Sequence, residues 1–217
     1  VNEPIVAIDH LGFKYNPNGG EREVVIFNGL SMDICPGEKI VVAGRSGVGK
    51  STLLKLIAWL LSPTAGTISY RGKPYREHFA PDLRKKIAFV PQTPVVFDGD
   101  VRKNLTLHLA TAPEEGALAD WLARFDLSDI PLTRSARDLS AGQKLRLTVI
   151  RSLLMAPEVL LLDEPTAGLD RATEALFVTT LADVAARRNM GLVWNSHNVG
   201  AVAGMADRVI DLGKGRA

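Results

Sequence analysis

The run Gly44-Arg45-Ser46-Gly47-Val48-Gly49-Lys50-Ser51 fits the pattern G-x-x-x-x-G-K-[ST], in which the main chain itself does much of the chemistry. Glycines let the backbone curl with its N–H groups turned inward, and the positive end of the following helix adds to the anion-binding field. Such a loop takes a triphosphate. Lys50 is then placed to bridge the β- and γ-phosphates, and the Ser51 hydroxyl to ligate Mg²⁺. A β-rich run precedes the motif and a helical pattern follows it, which is the context it needs. No G-x-G-x-x-G follows the first strand, so a dinucleotide finds no support.

Further along, Leu160-Leu161-Leu162-Asp163 ends an apolar run on a carboxylate, where a second metal-side ligand belongs. Glu164 follows at once and is positioned to accept a proton from an attacking water rather than to hold the metal. Taken alone, Asp163-Glu164-Pro165 could equally be a strand-ending turn. The phosphate loop upstream favours the chemical reading.

These groups need a scaffold that brings them together. Short β-branched runs predict strands at Ile5 to Ile8, Val24 to Phe27, Lys39 to Ala43, Thr67 to Tyr70, Ile87 to Val90, Val159 to Asp163, Leu192 to Asn195 and Val209 to Leu212. Helical periodicity follows Gly49 and covers Leu118 to Phe125, Ser140 to Met155 and Arg171 to Arg188, the last with Leu176, Phe177, Leu181 and Val184 on one face. Continuous apolar strands suit a parallel sheet buried on both faces, with the helices as crossovers. The expected core is therefore α/β. Between Gln92 and Leu139 the strand signals stop and helical pieces take over, including Asp100 to His108, which reads as a helical insertion.

At 217 residues, 46% apolar and 23% charged, the chain can bury a real core and is expected to fold throughout. Its longest strongly apolar stretch, Leu53 to Leu61, contains Lys55 and is about half of the ~20 residues that a membrane-spanning helix requires. Val1-Asn2-Glu3-Pro4 has no signal-peptide character, so a cytoplasmic location is expected. Cys35 has no internal disulfide partner and is read as a small buried hydrophobe. The net charge of +2 comes from scattered basic residues, so no nucleic-acid partner is expected, and Arg84-Lys85-Lys86 is read as a solvated face.

Leu139-Ser140-Ala141-Gly142-Gln143, at a helix start some way before Asp163-Glu164, makes the pattern specific. The chain resembles the nucleotide-binding domain of an ATP-binding cassette (ABC) transporter over essentially its whole length. Gly44 to Thr52 resembles the Walker A loop, Gln92 the Q-loop glutamine, Leu139 to Gln143 the signature, and Val159 to Asp163 Walker B. Ala167-Gly168-Leu169-Asp170 resembles the D-loop and His197 the switch histidine. The resemblance implies a P-loop NTPase core, mostly parallel with flanking helices, plus an N-terminal antiparallel β subdomain. Within a single ATPase domain over 1–217, residues 1–92 and 157–217 would form this core, and 93–156 a helical subdomain carrying the signature.

The same resemblance implies the roles. Tyr15 would stack on adenine, and Gly44, Arg45, Ser46, Gly47, Val48, Gly49, Lys50, Ser51 and Thr52 would hold the phosphates. Gln92 would sense Mg²⁺ and the attacking water, and His197 would contact the γ-phosphate and orient the water with Glu164. Ser140, Gly142 and Gln143 would reach the γ-phosphate bound by a second copy, so that two chains close head to tail on two ATP molecules, with Asp170 at their interface. Ala141 stands where the family usually has glycine, a departure that matters only if the backbone there needs a positive φ. As the start of a helix capped by Ser140 it is harmless.

An ATP-hydrolysing domain of this kind hands its motion to a transmembrane permease subunit from the inner face of the cell membrane. The apolar residues from Pro91 to Val101 resemble the cleft that receives that subunit. The Phe97 and Val101 pattern, Asn104-Leu105 and Trp194-Asn195-Ser196-His197 look similar to small bacterial ATPase subunits of metal-ion or iron efflux. The chain stops soon after Asp211-Leu212-Gly213, so no C-terminal regulatory domain is expected. A non-transport cassette ATPase, in DNA repair, translation or iron-sulfur assembly, would share the motif set, although the sequence shows no long coiled-coil insertion or second cassette, which argues against the repair and translation forms. A P-loop kinase or small GTPase would share only the first motif.

Overall fold

The computed structural model describes residues 3–15, 23–196 and 203–213. Its strands form two sheets. β1 (Val6–Tyr15), β2 (Val24–Ile34), β4 (Ala65–Tyr70) and β5 (Lys73–Pro74) make an antiparallel sheet in the order β2-β1-β4-β5. β3 (Lys39–Ala43), β6 (Ile87–Val90), β7 (Val159–Asp163), β8 (Gly191–Asn195) and β9 (Arg208–Asp211) make a parallel sheet in the order β6-β7-β8-β3-β9.

The five residues of β7 are all buried because both faces of the parallel sheet are covered. Side chains alternate across a strand, and the core divides accordingly. Leu160 and Leu162 pack with Ala88, Leu192 and Trp194 and with residues of α5 (Ala141–Leu154) and α6 (Arg171–Arg188). Val159 and Leu161 join Ile87, Val193, α1 (Lys50–Ile57) and the inward residues of the antiparallel sheet, among them Val6, Ile8 and Ile34. The phosphate loop thus leads from a central strand into a helix buried beneath the antiparallel sheet.

The antiparallel hairpin is longer than the sequence pattern predicted. His10 has a left-handed φ of 48°, and the register with β2 shifts between Ile8 and Leu11. This irregularity breaks the period-2 alternation after Ile8, although pairing resumes as far as Tyr15 with Val24. A short helix, α2 (Ala80–Lys86), was not foreseen, because seven residues are too few for a clear period. Its basic end, Arg84-Lys85-Lys86, is exposed as expected, while two of its side chains also reach partners on the protein. Arg84 donates to the Trp59 carbonyl at 2.8 Å, and Lys86 approaches Glu158 at 3.5 Å.

On α6, Phe177, Val178, Leu181, Val184 and Ala185 form the buried face, whereas Leu176 is 46% exposed. At 100° per residue, Leu176 lies roughly 140° from the centre of that face. Cys35 also departs from expectation, being half-buried in the turn between β2 and β3. In the segment 93–156 the helices are α3 (Val101–Thr106), α4 (Glu115–Arg124) and α5. Arg146 anchors α5 by donating to the carbonyls of Phe125 and Asp126 and to the Asp126 carboxylate, at 2.8–3.0 Å.

Glu158, just before β7, ties the two sheets together. It accepts from Tyr70 Oη at 2.8 Å and from Arg71 at 2.6 and 2.9 Å. Burial alone would raise its pKa, but the bonds from Arg71 and Tyr70, with the charges of Arg71 and Lys86, bring it below the ordinary value. Its contribution to stability is therefore present above the unfolded pKa of about 4.3 and is lost as pH falls through the lower folded value. Glu158→Gln should lower stability at neutral pH and lose less than the parent chain on acidification below about pH 4. Denaturant titrations at two pH values check this.

Among the described residues, no helix is long and apolar enough to cross a membrane.

Candidate functional site

The candidate site lies at the carboxyl edge of the parallel sheet, where β3, β6, β7 and β8 end side by side. From Ala43 the chain enters the loop Gly44 to Gly49 and then α1. Gly44, Gly47 and Gly49 have φ of 141°, 77° and 111°, values that L side chains rarely adopt. Space is also short. A Cβ on Gly49 would lie 2.6 Å from Ile26 Cγ2, and one on Gly44 would lie 2.9 Å from Val48 Cγ1. β2 therefore presses directly on the loop and fixes its curl.

Lys50 is buried, and its ammonium donates to the carbonyls of Gly44 at 2.9 Å and Arg45 at 3.2 Å. The cation is folded back across the loop that it follows. No acidic residue of α1 itself occupies its first turn, so the helix keeps its positive end for an anion. Arg45, Ser46 and Gly47 are exposed, while Val48, Ser51 and Thr52 are half-buried.

The strands contribute oxygens. Ser51 Oγ donates to Asp163 Oδ1 at 2.8 Å, joining the loop to the end of β7. Gln92, two residues beyond β6, donates from Nε2 to Glu164 Oε2 at 2.8 Å. Glu164 has a left-handed φ of 51°, uncommon for a residue with a side chain. One residue that the sequence reading did not single out joins them. Asn195, the last of β8, donates from Nδ2 to Asp163 Oδ1 at 2.5 Å and accepts from the Glu164 amide at 2.6 Å. In the sequence it stood as the polar end of an apolar strand, within the run Trp194-Asn195-Ser196-His197, with nothing to mark it for this chemistry.

A hydroxyl beside a buried carboxylate is a hard-oxygen pair suited to Mg²⁺. Among the described residues no group of three or more His, Cys, Asp or Glu could cage a metal alone. That fits an ion that completes its shell with substrate phosphates and water. The residues present thus suit Mg²⁺ bound together with a triphosphate.

Other expected residues lie apart from this cluster. Tyr15 ends β1, is 55% exposed, and sits on the hairpin whose Ile26 and Phe27 touch the loop. Ser140 and Gln143 form a capping box at the start of α5. Ser140 Oγ accepts from the Gln143 amide at 3.2 Å, and Gln143 Oε1 accepts from the Ser140 amide at 2.9 Å. Their side-chain bonds are to each other and not to the phosphate loop. Ala141 is the first helical residue and does not have a positive φ, so its methyl group costs nothing there. Gly142 is set against Leu169, whose Cδ2 would lie 2.9 Å from a Cβ at that position.

Asp170 caps α6, accepting from the Ala172 and Thr173 amides at 3.0 Å and from Thr173 Oγ1 at 2.7 Å. The Thr173 hydroxyl, followed by the backbone amides, holds its carboxyl below the usual range. His197 lies outside the described residues.

A family model described as ABC transporter matches residues 27–167. The probable iron export ATP-binding protein FetA of Escherichia coli (strain K12) is 32% identical over 214 residues, which cover 97% of this chain and 92% of that protein. The ATM1-type heavy metal exporter of Novosphingobium aromaticivorans is 30% identical across the whole chain, which spans 36% of that protein. The chain spans only 16% of a third relative, the ABC-type transmembrane transporter verA of Clonostachys rogersoniana, at 35% identity over 90% of this chain.

Among solved structures, a bacterial Atm1-family ABC exporter with ATP bound superposes with a TM-score of 0.85 at 27% identity, covering 98% of this chain and 38% of that one. cbiO1 of Clostridium perfringens, part of the ABC transporter complex cbiONQ, superposes with a TM-score of 0.80 at 28% identity. That match covers 97% of this chain and 85% of that one.

Proposed function

The chain belongs to the ABC transporter family as an ATP-binding and ATP-hydrolysing domain, and from that premise we propose how its residues divide the work. The loop amides from Gly44 to Thr52 and the Lys50 ammonium hold the β- and γ-phosphates, with Tyr15 against the adenine. Ser51 and Asp163 hold Mg²⁺, which when bound neutralises phosphate charge, and Gln92 reads the occupancy of that position. Glu164 takes the proton of the attacking water, oriented together with His197. Ser140, Gly142 and Gln143 of a second copy cover the γ-phosphate, and Asp170 lies at the shared interface. The unit is one ATPase domain over 1–217, with a core of 1–92 and 157–217 and a helical part of 93–156.

The observation that carries this reading is the 2.8 Å contact between Ser51 and Asp163, residues 112 positions apart in sequence. It supports the reading because it brings a hydroxyl of the phosphate loop beside the carboxylate that ends β7. Hydrolysis removes charge that two copies hold jointly, so nucleotide state sets the balance between closed and open pairs.

The work of that cycle goes to a transmembrane subunit on the inner face of a membrane. Exposed Val95 and Phe97, next to Arg151 stacked 4.9 Å from the Phe97 ring centre, offer that partner a surface. The names of FetA and the ATM1-type exporter support metal-ion or iron efflux as the process driven. All the relatives named above are transport proteins, and none supports a repair or assembly ATPase.

The purified chain should release phosphate from ATP with Mg²⁺ and lose that activity when EDTA is added. Activity that survives the chelator contradicts the metal assignment, and release of no phosphate contradicts the hydrolytic one. The membrane protein that co-purifies from detergent extracts identifies the partner.

A further inference from the structure

Asn195 is fully buried, at 0% exposure, in a strand whose other residues, Gly191-Leu192-Val193-Trp194, are apolar. An apolar side chain would serve the sheet there. A buried amide is costly unless its donors and acceptor are paired. This one is paired on both sides with the two residues assigned to the chemistry. In the parallel pairing of β7 and β8, Asp163 stands opposite Asn195. Nδ2 donates to Asp163 Oδ1, and Oδ1 accepts from the Glu164 amide, at 2.5 and 2.6 Å. The orientation of the amide is settled by chemistry, since a carboxylate can only accept and a backbone N–H can only donate.

Two consequences follow from this geometry. Asp163 Oδ1 takes donors from both Ser51 and Asn195, and neither of these bonds falls on Oδ2. The carboxylate is thereby pinned in rotation. Glu164 has a left-handed backbone, which persists only when its surroundings hold it. The bond from its amide to Asn195 is such a hold, and it sets the direction in which the Glu164 side chain leaves the strand end toward Gln92.

We infer that Asn195 is a positioning residue for ATP hydrolysis, a single buried amide that orients the metal-side carboxylate and the proton-accepting carboxylate relative to each other. The inference rests on the roles proposed above for Asp163 and Glu164. It adds that β8, and not only β7, determines whether bound ATP is turned over.

The test compares three variants of the full chain with the parent. Asn195→Val removes both bonds and should lower kcat by about 10- to 100-fold, as loss of an outer support typically does. KM for ATP and calorimetric affinity for ATP without metal should stay close to the parent, because the phosphate loop is untouched. Asn195→Asp keeps the shape and the acceptor for the Glu164 amide but turns an oxygen toward Asp163, and it too should lower kcat. Val193→Ala, on the same strand but away from both carboxylates, should lower the melting temperature and keep kcat.

A folded Asn195→Val with parental kcat overturns the inference. If Asn195→Val does not fold, a parental kcat in Asn195→Asp overturns it instead. It also falls if Val193→Ala loses as much kcat as the Asn195 variants, since the effect then reports strand stability. A parent chain that binds ATP and releases no phosphate overturns the underlying hydrolytic reading.

Discussion

Glu164→Gln is expected to stop phosphate release while leaving ATP binding intact, and to hold two copies of the chain together when ATP and Mg²⁺ are present. A positioned general base contributes about 10²- to 10⁴-fold, so the turnover rate should fall by that order. Binding should survive because the groups proposed to hold the phosphates, the loop amides, Lys50 and Ser51, are unchanged. Glutamine has the size of glutamate and can still meet Gln92, which lies 2.8 Å from the carboxylate, so the fold should not be disturbed. With hydrolysis blocked, the γ-phosphate stays in place, and so does the charge that two chains are proposed to share.

Size-exclusion chromatography with light scattering reads the outcome as a near doubling of mass. The capping box at Ser140 makes this a demanding test. In the single chain, Ser140 and Gln143 satisfy each other, and in the proposed shared site a second copy gives that helix start a nucleotide to cover. A variant that remains monomeric at saturating Mg-ATP contradicts the shared site. One that hydrolyses ATP at the parental rate contradicts the role of Glu164.

Lys50→Ala should have the second largest effect, this time on affinity. The ammonium is buried and already bonded to the carbonyls of Gly44 and Arg45, so it arrives at the phosphates with its direction fixed. Truncating one partner of a buried, hydrogen-bonded charge pair costs about 2–5 kcal/mol, which corresponds to a loss of roughly 30-fold to a few thousand-fold in affinity. Alanine is the best helix former, so α1 should survive the change. The variant also loses the tie across the loop, which adds to the effect in the same direction. Isothermal titration with ATP checks this, and unchanged affinity would refute the use made of the phosphate loop.

The parts of the fold that could be read from sequence are those whose local pattern matches their environment. Val159-Leu160-Leu161-Leu162 is apolar throughout because both faces of β7 are covered, so its run identifies a central parallel strand. The stretch from Ile8 to Tyr15 could not be followed, since a left-handed His10 interrupts an alternation that is otherwise maintained by pairing with β2. α2 is too short for a period, and Leu176 was placed on the wrong side of α6 because one apolar residue cannot fix the centre of a face.

The candidate site divides in a similar way. Gly44 to Ser51 and Asp163-Glu164 announce their chemistry through residue type and spacing. That Ser51 and Asp163 meet at 2.8 Å depends on the order of strands in the sheet, which spacing does not encode. Asn195 entered the sequence reading only as part of the run Trp194-Asn195-Ser196-His197 with no chemical role, and its importance comes from the register that sets it opposite Asp163. Tyr15, Gln92, Ser140, Gly142, Gln143, Asp170 and His197 were assigned through resemblance to a family. Of these, Gln92 is hydrogen-bonded to the carboxylate cluster in the single chain, and His197 lies outside the described residues.

The most direct test of the account is a crystal structure of the chain grown with Mg²⁺ and a non-hydrolysable ATP analogue. The account predicts a triphosphate wrapped by the amides of Gly44 to Thr52, with Lys50 on its outer phosphates, a metal ion on Ser51, and Glu164 facing the terminal phosphorus. A saturated crystal in which that loop is empty, or in which the nucleotide lies elsewhere, would contradict it.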